Sequence, residues 1–270
     1  MNATENARLP RPGVHVPRGS TFVIPAGALR ISLDDDGTPA VEVTSVQAAV
    51  QTWPDWLSIA LARLGDVRAA RRRLIGAVAA ADGAAESEAL AEEFQASLQT
   101  IAAAVFALDA FYGVICHMIN VPKADKLARR QRRAGRAVWV ADAIGRASRT
   151  PNDVRKTMTE SVRTAYQLRD DAVHPHFVAE PYAVHPGLNQ AVPQLYAHYT
   201  LELSHGAVAW AAEAIMWVVD HPQPRNATVC AFATGASDLL HGVVDEHLTY
   251  DPGAPVGRRP VDQGGQRAGP

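Results

Sequence analysis

The 270-residue chain is 47% hydrophobic and carries 26 basic against 28 acidic residues, a formal net charge of −2. That apolar share suffices for the core of one large or two small domains, and the near-neutral balance excludes a protein drawn to nucleic acid or membrane by global charge. Its two cysteines, Cys116 and Cys230, lie in apolar helical pattern and fit reduced thiols of an intracellular protein.

The opening stretch, MNATENARLPRPGVHVPRG, lacks the apolar run of roughly 7–15 residues that a secretory signal needs, and its prolines predict an irregular arm. ALRISL (28–33) and PAVEVTSV (39–46) read as strands joined by the turn chemistry of DDDG, with TFVI (21–24) as a third short strand. Such a hairpin is too small to stand alone and is expected to pack on the rest. Residues 1–46 therefore form an arm and hairpin, 47–250 a helical body, and the Pro/Gly-rich 251–270 a disordered tail.

Within the body, residues 54–81 start a helix at Pro54, with Trp56, Ile59, Leu61, Leu64 and Val67 at helical spacing. DGAAES (82–87) reads as a turn. A long helix over 87–119 follows, with Leu90, Phe94, Leu98, Ile101, Val105, Leu108, Tyr112 and Ile115 at steps of three and four. Its apolar segment 101–121 is interrupted by Asp109, His117 and Asn120, which favours a buried core helix over a membrane span. Further helices are expected over 123–147, 151–173 (Thr150 as N-cap, Pro151 just inside), 189–219 and 226–248, with a proline-bearing loop at 179–187. The expected fold is mainly α, an up-and-down bundle of five to six helices with a small N-terminal β-hairpin, in a soluble cytoplasmic protein.

One stretch concentrates chemistry. In YQLRDDAVHPHF (166–177), Arg169, Asp170, Asp171 and His174 share the end of one helix, and Pro175 stops it. The negative end of the helix dipole favours imidazolium at His174, which can then donate a proton to a leaving oxygen. Arg169 lies five positions earlier, about 140° around the helix, and a guanidinium is suited to holding a phosphodiester in its planar fork. His176 is an auxiliary candidate. The plain alternative is a solvated helix end, with Arg169 paired to an aspartate and His174 as a cap.

An Arg, a polar residue, then a His followed by Pro resembles the motif of the HEPN superfamily, here Arg169, Asp170, His174 and Pro175. The helix containing ALDAFYGVICH (107–117) is similar to an early helix of such domains, so the resemblance spans roughly 86–220. It implies a helical bundle that dimerises with two motifs facing each other, and in active members a metal-independent endoribonuclease. It also implies that Arg169 stabilises the phosphate, His174 is the general acid/base, Asp170 orients them, and the RNA 2′-hydroxyl attacks. Asn is the more familiar residue at the Asp170 position, and Asp adds negative charge beside the phosphate.

Other constellations compete. HYTLELSH (198–205) places His198, Glu202 and His205 on one helical stripe, and Glu202-x-x-His205 with Asp171-x-x-His174 has the spacing of carboxylate-bridged di-metal bundles. The facing glutamates are missing: the long helix offers Asp109 and the first helix Asp55 and Asp66. Residues 123–146 hold eight basic side chains, among them Lys126, Arg129, Arg130, Arg132, Arg133 and Arg136, against Asp125 and Asp142, a candidate RNA surface that RAARRR (68–73) extends. The plain reading is a solvated charged face with arginines paired to ESEALAEE (86–93). His185, in the proline-bearing loop, is expected to face solvent. Trp210, Met216 and Trp217 form an apolar face, core or dimer interface, with Glu213 as a buried acid that Arg169 could pair. No phosphate loop, zinc-type Cys/His spacing or Gly-x-Ser-x-Gly elbow occurs, so no cofactor is expected. A helical module that binds a partner without catalysis is the alternative function.

Overall fold

Ala-rich helical sequence dominates the chain, and its apolar positions recur at steps of three and four, so most of it folds as packed helices. The computed structural model describes residues 20–23, 29–33, 36–43, 47–125, 127, 135–173 and 181–248. It is mainly helical: α1 (Trp53–Ala79), α2 (Gly83–Ile115), α3 (Arg136–Ala147), α4 (Asn152–Val173), α5 (Gln194–His198), α6 (Leu201–Asp220) and α7 (Ala227–Leu248). Among the described residues six short strands form three antiparallel pairs. The helical bundle with a small hairpin is thus the observed class.

A three-residue turn folds α2 back along α1. The amide of Asp82 donates to Ala77 O and that of Ala81 to Val78 O, while Ala81 takes a left-handed φ of 55°, the geometry that closes a helix when a residue beyond its end turns left-handed. Asp82 then caps α2 by accepting from the amides of Ala84 and Ala85. The turn expected over 82–87 is therefore shorter, because Asp82 starts a helix at once.

α2 is the central element, touching α1, α3, α4 and α6. Its Ile101, Leu108, Phe111 and Ile115 are fully buried with Trp53 and Leu57 of α1, Ile144 of α3, Ile215 of α6 and Leu240 of α7. The buried stripe of α1 runs Trp53, Leu57, Ala60, Leu64, Val67, Arg71, Leu74; Ile59, expected inside, is 44% exposed. By length and hydropathy α2 and the segment Ala227–Val244 would each suffice to cross a membrane, and half of that α2 window is buried in the fold.

The N-terminal hairpin forms as expected, with β2 (Leu29–Leu33) paired to β3 (Pro39–Val43). β1 (Ser20–Val23) does not join it. It pairs with β4 (Gln47–Val50), a segment expected to be helical. Ile31, Leu33 and Val41 are 62–72% exposed, so these apolar side chains are not packed on a helical body.

Two helices differ from expectation. The stretch 189–219 is broken: β6 (Ala191–Pro193) pairs with β5 (Tyr182–Val184), then α5 and α6 are separated by Tyr199 and Thr200. Pro193 and the pairing of Val192 with Ala183 commit the first part to a hairpin. The helix expected over 123–147 is helical at 123–125 and 127 and again over Arg136–Ala147, with 126 and 128–134 outside the described residues. α4 starts one residue after Pro151, and the Thr150 hydroxyl, instead of capping it, accepts from Trp217 Nε1 at 3.0 Å.

Candidate functional site

The last described turn of α4 carries half of the expected constellation. Arg169 Nη2 lies 2.8 Å from Asp170 Oδ1, its guanidinium carbon sits 5.5 Å from the Tyr166 ring centroid, and its Nε is buried with no hydrogen-bond partner. Asp170 and Asp171 are exposed. The turn is anchored from two sides. Tyr199, 1% exposed, donates its hydroxyl to Leu168 O at 2.8 Å, and Tyr166 donates to Asp109 Oδ1 of α2 at 2.6 Å. Burial, reinforced by the Asp109 carboxylate, pushes the Tyr166 phenol well above its ordinary value. His174 and His176 lie outside the described residues.

Two arginines of the basic run, Arg136 and Arg146, are engaged with acids. Arg136 Nε donates to Asp109 Oδ1 at 2.7 Å, with its guanidinium 4.2 Å from the Tyr112 ring centroid. Arg146 bridges Asp142 (2.6 Å) and Asp125 (2.8 Å), the two acids expected to sit within a basic surface, and Arg155 adds a 3.1 Å contact to Asp142. The proposed contacts Lys126, Arg129, Arg130, Arg132 and Arg133 lie outside the described residues.

Within RAARRR, Arg72 and Arg73 are exposed, with Arg73 paired to Glu92, while Arg71 turns inward. Arg71 is 6% exposed and points into the molecule. Its Nε donates to both oxygens of Glu93 (3.0 and 2.9 Å), Nη2 to Glu93 Oε1 (2.6 Å), and Nη1 and Nη2 to Glu202 (2.8 and 3.0 Å). Glu93, fully buried on α2, also accepts the Leu201 amide at 3.0 Å, so it caps α6, whose own N-cap Thr200 supplies no side-chain bond. Burial opposes the charge of Arg71, but the bonds to Glu93 and Glu202 outweigh it and hold the guanidinium above its ordinary value. For Glu202 burial acts upward and the Arg71 bond downward, with a net lowering.

The β5–β6 turn closes this network. His185 is fully buried, contrary to the solvent-facing expectation, because its turn folds onto the end of the α1–α2 pair where Leu74, Ala89, Leu188 and Val192 cluster. Its Nδ1 accepts the Gly187 amide at 3.2 Å, and its Nε2 lies 3.9 Å from Glu93 Oε2 without a hydrogen bond. Burial lowers the His185 pKa; Arg71 adds to that, while Glu93 and Glu202 oppose it. Gly187 lies flat against Arg71: a Cβ there would sit 2.7 Å from three guanidinium atoms. The sequence did carry a signal for this network, since Arg71 falls at i+4 from Val67 and i−3 from Leu74, and Glu93 at i+4 from Ala89 and i−4 from Ser97.

Of the alternative metal set Glu202, His205, Asp171 and His174, the last lies outside the described residues. Glu202 is held by Arg71, the break between α5 and α6 removes His198 from the stripe of Glu202 and His205, and His205 is exposed. Among the described residues no three His, Cys, Asp or Glu side chains are grouped to hold a metal ion. Glu213 is exposed and unpaired with Arg169. It lines, with Trp210, Trp217, Asp153 and Met158, a groove of about 270 Å³ between α4 and α6. Comparison with protein-family models, with curated proteins and with solved structures finds no significant match to this chain.

Proposed function

We propose that this chain is a HEPN-like helical protein that engages RNA at the C-terminal end of α4, with Arg169 holding a phosphate and His174 transferring a proton. The observation that supports the reading is the anchored position of Arg169. Tyr199 and Tyr166 tie its turn to the α5–α6 junction and to α2, while its nearest acid, Asp170, is 56% exposed on its side chain and can yield to a phosphate. Its unsatisfied Nε leaves hydrogen-bonding capacity at that place, and an orphaned buried donor calls for an explanation.

On this reading the RNA 2′-hydroxyl attacks the adjacent phosphorus and the bond from phosphorus to the 5′ oxygen breaks. A base takes the 2′ proton, the imidazolium of His174 returns one to the leaving 5′ oxygen, and Arg169 stabilises the charge on the non-bridging oxygens. The products are a 2′,3′-cyclic phosphate and a 5′-hydroxyl. A second copy of the chain facing the first would supply the second histidine.

Purified protein incubated with a mixed single-stranded RNA in EDTA should yield cyclic-phosphate ends. His174→Ala and Arg169→Ala should each lower the rate by at least about 100-fold, the lower end for a general acid/base. Cleavage that survives in His174→Ala removes the assigned site.

A further inference from the structure

The groove between α4 and α6 is independent of the α4 terminus and has its own chemistry. α4 contributes Asp153, Thr157 and Ser161 at steps of four, with Met158 beside them, and α6 contributes Trp210, Glu213 and Trp217 at steps of three and four, so one stripe of each helix faces the other across the gap. The lining holds two carboxylates and no basic side chain. Neither carboxylate has an ion-pair partner among the described residues, and Glu213 is exposed.

Trp217 is a preset wall. Its Nε1 donates to Thr150 Oγ1 at 3.0 Å, and its ring stacks on His221 with centroids 4.3 Å apart and planes 17° from parallel. Trp210 lies back over Gly206, where a Cβ would meet the indole at 3.5 Å, ordinary contact. Both indoles are half-buried rather than sealed in the core. Two aromatic walls beside two carboxylates that have no ion-pair partner among the described residues are complementary to a positive charge on an apolar body: indole faces attract such a cation through their quadrupole, and carboxylates add long-range attraction.

We propose that this groove is a binding site for a small organic ammonium ion, with Trp210 and Trp217 against its alkyl or aryl body and Glu213 and Asp153 facing its charge. The size agrees. About 270 Å³ is roughly nine water volumes of about 30 Å³ each, enough for an ammonium carrying one ring or a few short alkyl groups and too small for a dinucleotide.

The test uses the full-length protein and benzyltrimethylammonium, with its uncharged carbon isostere as control. Binding should be saturable, the N-methyl proton resonances should shift upfield from the indole ring current, and the isostere should bind at least several-fold more weakly. Glu213→Gln, at an exposed position that leaves the core untouched, should weaken binding of the cation and not of the isostere. Trp210→Ala should weaken it by about 2- to 30-fold, the range that cation–π contacts supply. Equal affinity for cation and isostere, no saturable binding, or cation binding unchanged in both variants would overturn the assignment. If Trp210→Ala fails to fold, the Glu213→Gln comparison alone decides.

Discussion

Replacing Glu93 by Gln removes one charge at the junction of α1, α2 and α6 and leaves the side-chain shape in place. The carboxylate is 1% exposed and takes three guanidinium contacts from Arg71 and the Leu201 amide. A glutamine can keep one oxygen for these donors but turns an NH2 toward a guanidinium that is itself 8% exposed. Arg71 then retains only Glu202, whose side chain is 57% exposed and therefore screened. Leaving a buried charge without its buried partner costs about 3–5 kcal/mol, which in a chain of this size lowers the melting temperature by on the order of 10 °C. Glu202→Gln removes an equal charge from the solvent side and should cost about 0–1 kcal/mol. Urea unfolding followed by circular dichroism at neutral pH compares the two. A double change, Arg71→Met with Glu93→Leu, should recover much of the Glu93→Gln loss, since no charge is then stranded. If Glu93→Gln and Glu202→Gln shift the midpoint equally, the buried pair is not what joins these helices.

Two further outcomes test the same region. His185 is buried neutral with its pKa lowered, so the unfolded chain binds a proton that the folded one refuses; stability should be complete above about pH 6.5 and fall as pH drops from there toward the folded pKa. His185→Asn, which keeps an acceptor for the Gly187 amide, should lose that slope, as pH-dependent urea midpoints will show. Gly187→Ala places a methyl against a guanidinium pinned by two carboxylates and should cost about 1–3 kcal/mol, as overpacking does; a melting temperature equal to wild type would mean that Arg71 can move aside.

The helical character was legible because Leu98, Ile101, Val105 and Leu108 repeat at the helix period. Long-range pairing was not. Nothing local tells β1 to choose Gln47–Val50 as its partner over the adjacent hairpin, and the helix-like stretch after 189 becomes a strand because Val192 finds Ala183. The buried network was half legible. Arg71 and Glu93 sit in register with apolar stripes, yet an arginine in RAARRR reads as surface unless its phase is counted. His185 could not be placed at all, since its burial depends on where a β-turn lands on two distant helices. Of the expected site, Arg169 does stand at the end of α4, while Arg136 and Arg146, read as a surface for a polyanion, answer to Asp109, Asp142 and Asp125.

The Ala-rich faces of α2 have a mechanical consequence. Small side chains such as Ala103, Ala104 and Ala107 make shallow ridges, and shallow ridges resist sliding poorly. Against an axial slip of one turn, about 5.4 Å, these alanine faces offer little, and the resistance falls to Ile101, Leu108, Phe111 and Ile115 and to polar contacts. The same slip would carry Glu93 away from Arg71 and the Leu201 amide and Asp109 away from Tyr166 and Arg136, so two carboxylates act as detents that help fix where the shaft stops.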